Sequence, residues 1–598
     1  MKPRQRPWKW LLLGLVVLLL IGFVALPRLI GTSSDLRDRV AAALSAWTGA
    51  TVTLPEPLTV RYFSPLSLRG GFVLTNATKL PWISSIAARD VKMSLSLPEL
   101  LMGRVKIEAL RLGRPTITLK ANAAPTVPVD QTAEALVTNG LAAAPVAVVR
   151  VRHGTIKAAS GEIMARDFDA RFDASDGAGA LTALGSLTFR DETIRFSIDS
   201  GKISETEDGQ SAPVTLTITS APVTAKWFGT ARFADGFGLD GDMSAEMGDV
   251  RRFLNWVGMD LPQGESLKNL TAEGPVHWSG STLIFDDGTF SLDGNEAVGL
   301  LAITTGMRPR VEGTLAFERL VLDPYLGTGE TAAIGEPLFD WALLKHFDAD
   351  LRLSAADIQA SALKLGRGGL TINAKDGAIS SEVGELELCG GEVAGRVGLD
   401  LSEPRTKASF AGTLSDVAIE TCLKPFALDI PVKGTGAVKI DVSTGGHTLE
   451  ELIRGLAGDL KMTAHDGAVP IDFLQLVAGA PVDGMSWSRD AVTPFQSLDA
   501  DCRLSAGHIW CQVFTMQTPR GLVSGSGGVD VGKQTLDWDF LIANPVAPLN
   551  ASQLVMETPP RVTIRGPLTQ PMIQRANRPT LGDGSTQSSP GTVPVSPH

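Results

Sequence analysis

The side chains of this 598-residue chain that could do chemistry are few: seven histidines, four cysteines and carboxylates spread along its length. Two histidines have a nearby acid, in His465-Asp466 and in His346-Phe347-Asp348. Catalytic and metal sites are usually marked by fuller motifs such as HExxH, GxSxG or a P-loop, in which several groups act together. None of these motifs occurs in the sequence. We therefore predict no catalytic site, no metal site, no cofactor and no enzymatic activity.

Two glycine-rich tripeptides, 434–436 (GTG) and 525–527 (GSG), look like phosphate-binding loops in isolation. A phosphate loop leads into a helix whose N-terminus binds the anion, whereas strand patterns flank both tripeptides. We interpret them as turn or bulge glycines. Asp537 and Asp539 alternate along one strand pattern beside Trp538, and we assign this acidic pair to a solvated strand edge.

The cysteines suggest disulfides. A turn at Ala506-Gly507 would pair Cys502 with Cys511 on one face of a hairpin, together with the pairs Leu504–Ile509 and Ala500–Val513. At a non-hydrogen-bonded hairpin site the Cα atoms lie ~4.5 Å apart, within disulfide range. We predict a Cys502–Cys511 disulfide and, as a second pair, Cys389–Cys422, which would indicate an oxidising compartment. Metal binding is the alternative, but no third or fourth ligand is spaced nearby.

One apolar segment, Trp10 to Leu26, has no charged residue and no counterpart later in the chain. At ~1.5 Å per residue it spans roughly 25 Å as a helix, at the short end for a membrane span. The basic residues before it place the N-terminus in the cytoplasm; they are Lys2, Arg4, Arg6 and Lys9. A cleaved signal peptide is the alternative, but no small-x-small cleavage site follows. We predict a retained single-pass anchor in the inner membrane, with the bulk of the chain in the periplasm.

Composition excludes one class of partner and leaves another open. The net charge is -11, and the 54 basic residues are scattered, which argues against nucleic acid. The mean hydropathy is slightly positive, at +0.12, which is high for a chain with one short apolar segment. A large buried β core would explain this value, and so would an apolar surface kept for a lipidic ligand.

Short alternating strand patterns with glycines between them fill most of the chain, and five short helices interrupt them. The first helix follows Ser33 or Ser34 and ends at Gly49, with its apolar face toward the adjacent sheet; that face carries Leu36, Val40, Leu44 and Trp47. The other helices are predicted at 249–256, with Asp249 as N-cap, and at 337–347, 448–458 and 470–477.

The order of these patterns resembles the AsmA family of inner-membrane-anchored periplasmic proteins and, more distantly, the AsmA/TamB group of bridge-like lipid transport proteins. The resemblance covers roughly the first 120 and the last 270 residues. It is carried at the N-terminal end by PLSLRGGFVLTNA and ARDVKMSLSLPELLMGRVKIEALRLGRPTITL, and at the C-terminal end by LELCGGEVAGRVGLDLS, GTGAVKIDVSTGGHTLEELIRGLAGDLKMTAHDGAV, VSGSGGVDVGKQTLDWDF and RVTIRGPLTQPMI. Two features depart from the family pattern: an Asn-Trp step is missing, and Cys389 replaces an aromatic residue.

The resemblance implies a mainly β fold with a few short helices, in which a single transmembrane helix is followed by an elongated, curled antiparallel β-sheet groove with an apolar interior. The expected segments are an anchor (1–27), an AsmA-like N-terminal β domain (28–120), a linker (121–144), a middle β-rich region (145–330), an AsmA-like C-terminal β domain (331–572) and a disordered tail (573–598).

Three classes of function remain, and the first two agree with the resemblance. The leading hypothesis is a groove that binds or conducts phospholipid between the inner and outer membranes and supports outer-membrane assembly. The second is a non-enzymatic scaffold that binds outer-membrane proteins or assembly factors through exposed strand edges. The third, an enzyme, lacks a site. A lipid groove needs inward residues that are apolar over many successive strands, and a charged row along it would exclude this function.

Overall fold

The computed structural model describes residues 32–61, 66–77, 80, 83–120, 145–174, 180–206, 209–232, 237–259, 261, 266–306, 308–325, 347–360, 363–401, 406–423, 432–446, 451, 454–473, 492–530, 533–543 and 561–575. The predicted anchor, Trp10 to Leu26, and the predicted linker, 121–144, lie outside these ranges. Among the described residues, no helix combines the length and the hydrophobicity needed to cross a membrane. The predicted segment boundaries stay predictions.

The chain divides into two compact units, and the prediction of a mainly β fold with few short helices is confirmed in both. The first unit contains residues 1–386 and 397–406, and the second contains 387–396 and 407–598. The described helices are α1 (Ser33–Thr48), α2 (Leu97–Leu101), α3 (Val250–Val257) and α4 (Ile419–Leu423).

The first 21 described strands, and β22 up to residue 386, belong to the first unit. They are β1 (Thr51–Thr53), β2 (Thr59–Arg61), β3 (Ser67–Thr75), β4 (Ile83–Leu95), β5 (Ile107–Gly113), β6 (Thr116–Leu119), β7 (Val148–Lys157), β8 (Ile163–Asp173), β9 (Leu181–Phe189), β10 (Glu192–Ser200), β11 (Ser204–Thr206), β12 (Gly209–Thr219), β13 (Thr224–Arg232), β14 (Gly238–Met247), β15 (Leu270–Ser279), β16 (Thr282–Leu292), β17 (Asn295–Thr304), β18 (Arg310–Val321), β19 (Asp348–Ala360), β20 (Leu363–Leu365), β21 (Gly368–Lys375) and β22 (Ala378–Leu388).

The remaining described strands follow along the chain. They are β23 (Gly391–Asp400), β24 (Thr406–Ala418), β25 (Lys433–Gly446), β26 (Ala457–Val469), β27 (Thr493–Ser505), β28 (His508–Thr518), β29 (Gly521–Asp530), β30 (Thr535–Ala543), β31 (Arg561–Pro567) and β32 (Met572–Arg575).

Strand order in the first unit follows chain order. Each strand from β7 to β18 pairs antiparallel with the next, except that the short β11 pairs with β12 beside the β10–β12 pair. The expectation of a wholly antiparallel sheet is wrong at two places, because β5 and β6 pair parallel with β7, and β18 pairs parallel with β19. A parallel pair requires a long connection, and residues 120–147 and 322–347 provide one at each place.

Helix α1 is the predicted lid on the sheet beside it. Its buried residues Leu36, Val40 and Leu44 are 0–2% exposed, within one apolar cluster that includes β-strand residues from β1 to β8. The helix ends at Gly49, which adopts φ 62°, a conformation that glycine adopts without strain. The predicted caps Ser33 and Ser34 are wrong, because Thr32 forms the capping box with Asp35.

The other predicted helices have mixed outcomes. Helix α3 forms with Asp249 as its N-cap, whose carboxylate accepts a hydrogen bond from the Arg252 amide at 2.9 Å. The helices predicted at 337–347, 448–458 and 470–477 lie partly or almost wholly outside the described residues. The predicted end of the second one is wrong, because Gly458 lies in β26. The tail was predicted to begin at residue 573, but β32 extends to Arg575. In this strand Ile573 pairs with Ile564 and is 1% exposed.

The contacts of α1 predict a large stability difference between two leucine truncations. We expect Leu36→Ala to lower the free energy of unfolding by about 2–5 kcal/mol, because it leaves a cavity in a fully buried cluster. The matched control Leu101→Ala removes a leucine that is 54% exposed, and should change stability by no more than about 0.5 kcal/mol. Urea unfolding followed by tryptophan fluorescence would measure both; equal losses would contradict the packing of α1.

Candidate functional site

The candidate site is one face of the first unit's sheet, which the strand register makes apolar over many strands. Directly paired residues point to the same face of a sheet. One unbroken row of such partners crosses sixteen strands from β3 to β21, and every member is glycine, alanine or a larger apolar residue. The row is Gly70, Val91, Leu112, Val151, Ala170, Gly185, Phe196, Ile218, Ala225, Ala245, Ala272, Phe290, Ala297, Phe317, Ala355 and Gly368.

The adjacent row, made of the neighbouring residue on each strand, is polar instead of apolar. From β10 to β16 it is polar or charged throughout; its members are Ser197, Thr217, Lys226, Ser244, Glu273 and Thr289. Because successive side chains point to opposite faces, the sheet has one apolar face and one polar face here. A charged row would have excluded a lipid groove, and the apolar row contains no charged side chain.

Coverage of this apolar face differs along the sheet. At β4 and β7, Val91 and Val151 are buried in the same cluster as the α1 residues Leu36, Val40 and Leu44. Further along, the large row members Phe196, Ile218 and Phe317 are only half-buried. The cluster between β12 and β18 contains no residue of a described helix. Leu187 of β9 and Phe196 of β10 still pack against the α1 cluster, so within the described part of the chain that cluster ends at β10.

The second unit has an apolar face of the same kind. One row of direct partners crosses its last eight strands and contains no polar side chain other than the cysteines. It consists of Ile440, Leu460, Cys502, Cys511, Gly527, Trp538, Ile564 and Ile573. Trp538 of this row belongs to an aromatic cluster. Its ring stacks on that of Phe540 with centroids 5.4 Å apart, and Phe514 meets both rings edge-on.

The glycine tripeptide 525–527 does not form a turn, but it lies at a bulge, as the alternative interpretation expects. The register between β28 and β29 shifts between the pairs Cys511–Gly527 and Phe514–Gly525. Gly525 and Gly527 lie inside β29, directly opposite Phe540 and Trp538 of β30. A Cβ atom on either glycine would come within 2.7 Å of the facing ring. Any side chain larger than that of glycine would therefore collide with these aromatic rings. Gly434 likewise lies at a register shift of β25, with φ 139°, as a bulge glycine would.

Both predicted cysteine pairs are disulfides in the structure. Cys502 and Cys511 face each other across β27 and β28, with Cα atoms 3.7 Å apart. The turn residues Ala506 and Gly507 both have positive φ, 51° and 79°, as a two-residue type I′ hairpin requires. The further pair Ala500–Val513 is wrong: a bulge beside Cys502 brings Phe514 opposite Ala500 and turns Val513 outward, where it is 53% exposed.

The second disulfide ties a helix to a strand turn. Cys389 lies between β22 and β23, and Cys422 lies in α4, with Cα atoms 5.4 Å apart. Beside it, the Ala418 amide donates to the Cys389 carbonyl at 3.0 Å. All four cysteines of the chain are therefore paired.

The titratable groups singled out from the sequence do not assemble into a site. Asp537 and Asp539 are exposed on the polar face of β30, where Arg565 pairs with both. His465 contacts Asp466 at 3.2 Å and both are exposed, whereas His346 lies outside the described residues. Within the described ranges, no group of three or more histidine, cysteine or acidic residues is placed to hold a metal ion.

One charged cluster was not found from the sequence. Asp240 of β14 accepts hydrogen bonds from Arg232 and from a ring nitrogen of His277. Burial opposes ionisation of Asp240, but these hydrogen bonds and the nearby positive charges outweigh it and lower the pKa of the carboxyl. The residues are brought together only by the pairing of β13, β14 and β15, and no local motif in the sequence indicates them.

Comparison with known proteins adds one match. The model of the AsmA family matches residues 330–513 and supports an AsmA-family assignment, which confirms the resemblance over that segment. No curated protein and no solved structure gives a significant match. The resemblance of the first 120 residues lies outside the matched segment and stays a prediction.

The lowered pKa of Asp240 gives a pH-dependent prediction. Its ionised form is favoured in the folded state, so the stabilisation is present above the carboxyl's ordinary pKa and disappears as the pH falls through the lower folded value. We expect Asp240→Asn to destabilise the protein at neutral pH, and the difference from the native protein to shrink in acid.

Urea midpoints from neutral pH down to pH 3 would measure this difference. The matched control is Asp242→Asn on the same strand, for which we expect a smaller loss. A penalty for Asp240→Asn that stays constant over the whole pH range would contradict the assigned role of the Arg232 and His277 contacts.

The cysteine pairing predicts the result of thiol titration. The denatured chain should show no reactive thiol without reductant, and four after reduction. Mass mapping of the unreduced peptides should then recover the two links Cys389–Cys422 and Cys502–Cys511. Four thiols in the unreduced, periplasmically expressed chain would contradict both disulfides and the oxidising compartment.

Proposed function

We propose that this chain, assigned to the AsmA family through residues 330–513, is an inner-membrane-anchored periplasmic protein whose apolar sheet faces bind phospholipid and conduct it toward the outer membrane. The observation that carries this proposal is the sixteen-strand apolar row of the first unit. With ~4.8 Å between neighbouring strands, this row has a contour of roughly 70 Å. That is longer than the ~30 Å hydrocarbon core of a bilayer, so the face offers room for several acyl chains in succession.

Energetics favour an acyl chain as the occupant. Each buried methylene contributes ~0.8 kcal/mol, so a long alkyl chain on an apolar face needs no polar recognition to stay bound. The half-buried side chains Phe196, Ile218 and Phe317 would lose their remaining water contact under such a ligand. The polar face on the other side of the same strands would keep the complex in solution.

Two further observations support the periplasmic location. The chain's four cysteines form two disulfides, which persist in an oxidising compartment and are rare in the cytosol. The charge-free segment Trp10 to Leu26 is preceded by basic residues, in the order expected for a helix whose N-terminus stays in the cytoplasm. Together they support export of everything that follows residue 27.

A scaffold function remains the second candidate, and exposed aromatic residues on the polar faces favour it. Phe228 of the first unit is 60% exposed, and Trp510 of the second unit is 50% exposed. Large aromatic residues of this kind are enriched at protein interfaces. This candidate places the functional contacts on the polar faces and leaves the apolar faces as structural core.

The two candidates differ in what co-purifies with the protein. Residues 28–598, purified from the periplasm under mild conditions, would be examined by native mass spectrometry with parallel lipid extraction. The lipid proposal expects stoichiometric phospholipid. A lipid-free protein of the correct mass would contradict it and favour the scaffold, whose partners crosslinking would then identify.

Two neighbouring substitutions sharpen the test. Leu315 of β18 is half-buried and lies on the apolar face between Gly299 and Leu353, whereas Ala316 is exposed on the polar face. A carboxylate within hydrocarbon costs about 2.5–3.5 kcal/mol on insertion scales. We therefore expect Leu315→Asp to reduce lipid transfer between vesicles by about tenfold or more.

The matched variant Ala316→Asp adds the same charge one residue away and should leave transfer unchanged. Circular dichroism and urea unfolding would establish that both variants are folded. Equal transfer by folded Leu315→Asp and native protein would contradict an acyl path over this face.

A further inference from the structure

Helix α3 lies at one end of the strands, between β14 and β15, and its first turn is held firmly. The Val250 amide donates to the Lys268 carbonyl at 2.8 Å. Arg251 is 7% exposed and donates to the Ser266 carbonyl at 2.8 Å and to the Ser266 hydroxyl at 3.0 Å. The Lys268 amide in turn donates to Asp293 at 2.7 Å. The start of α3 is thereby fixed to the segment that leads into β15.

Helix α3 also contacts the turn between β9 and β10, through Trp256 in its last turn and Arg252 in its first. The Trp256 indole donates to the Phe189 carbonyl at 3.0 Å, and the two rings meet edge-on at 5.6 Å. Arg190 donates to the Trp256 carbonyl at 3.0 Å, and Arg252 forms an ion pair with Glu192. We call these five residues the α3 latch. The helix therefore bridges from β15 to β9 and β10, past the ends of β12, β13 and β14.

The latch lies on the apolar side of the sheet. Phe189 and Glu192 are direct partners, and Phe189 is an even number of residues from Gly185, a member of the apolar row. Strands β9 and β10 form the margin of the cluster that α1 seals, because Leu187 and Phe196 are only partly buried where they pack against it. The latch thus sits where the covered part of the apolar face ends and the uncovered part begins.

The latch contacts are weaker than those that hold α1. Arg252 is 55% exposed, so water competes for its ion pair with Glu192. Phe253 and Trp256 are half-buried and Val257 is 41% exposed, whereas α1 buries three residues almost completely. Helix α3 can separate from β9 and β10 as a whole without disturbing a closed core, while the Val250 and Arg251 hydrogen bonds keep its N-terminus tied to the segment before β15.

We propose that α3 is a gate that controls access of a phospholipid acyl chain to the apolar face at β9 and β10. The proposal rests on the lipid-binding function proposed above. In the closed state, Trp256 covers Phe189 and the adjoining ends of β9 and β10. When the latch opens, the acyl chain takes the place of the indole ring and continues along the row from Gly185 and Phe196 toward β12.

The test fixes the latch covalently. Glu192→Cys and Arg252→Cys replace the exposed ion pair, and they would be the only free thiols because every native cysteine is in a disulfide. The full chain in nanodiscs would be treated with a short bis-thiol crosslinker. Vesicles of phosphatidylethanolamine and phosphatidylglycerol carrying a phosphatidylethanolamine with a photoreactive acyl chain would then be added, and adducts on β10 to β18 peptides would be counted over time.

We expect crosslinking to slow adduct formation about tenfold or more, since opening of the latch precedes access. The matched control is the pair Asp537→Cys and Arg565→Cys, an exposed ion pair on the polar face of the second unit, whose crosslinking should leave the rate unchanged. In the opposite direction, Trp256→Ala should raise the rate, and Trp256→Phe, which keeps a ring but loses the indole hydrogen bond, should give an intermediate value.

The outcomes separate the two proposals. If the native chain forms adducts on these peptides and neither crosslinking nor Trp256→Ala changes the rate, the gate is wrong and lipid binding stands. If no variant forms adducts on these peptides at any time, the lipid-binding function itself is wrong, and the gate with it.

Discussion

Everything in this protein depends on strand register. Side chains alternate between the two faces of a sheet, so a slip of one residue between any two neighbours would move a strand's whole apolar set to the polar face. The row from Gly70 to Gly368 shows that apolar side chains stay on one face across sixteen strands, through two parallel pairings and several bulges. The bulges help to maintain it. Phe285 and Phe290 of β16 are an odd number of residues apart, yet both lie on the apolar face and meet edge-on at 5.3 Å, because an extra residue is inserted between them.

A sheet with one apolar face has to cover it, and the first unit does so unevenly. The strands next to α1 are sealed by a helix whose apolar residues are completely buried, and the cluster formed there is the largest in the described structure. Beyond β10 the same face continues, and its large row members Ile218 and Phe317 are only half-buried. An apolar surface left half-exposed is costly in water, and such surfaces in soluble proteins commonly mark binding sites. The contrast within one sheet is stronger support for a ligand than hydropathy alone, because one apolar row runs through both parts and only the first cluster contains residues of a described helix.

Local patterns in the sequence were sufficient where the structure is local. The alternation in β27, the cap at Asp249 and the apolar stripe of α1 all depend on residues within a few positions of one another, and each was correctly assigned. The pairing of Cys502 with Cys511 also followed, because a two-residue turn sets the register of its own hairpin. Features that depend on neighbouring strands could not be predicted. They are the bulge that places Phe514 instead of Val513 opposite Ala500, the rings above Gly525 and Gly527, and the contact between Asp240 and His277 on adjacent strands. The N-cap at Thr32 was missed for a different reason, since three adjacent hydroxyl residues offer the same capping group.

The distribution of small residues explains how the apolar face between β12 and β18 can persist where no described helix packs on it. In a sandwich core, large side chains interdigitate with those of the opposing layer. Here several rings lie down over a neighbouring strand: a Cβ on Gly185 would be 2.6 Å from the ring of Phe196, and one on Gly525 would be 2.7 Å from Phe540. Phe290 and Phe317 likewise have alanine on both flanking strands. Each ring buries one side against its own sheet and leaves a low, continuous apolar surface. Such a surface suits a flexible alkyl chain, because the row from Gly70 to Gly368 carries no polar side chain that would hold the chain at one strand.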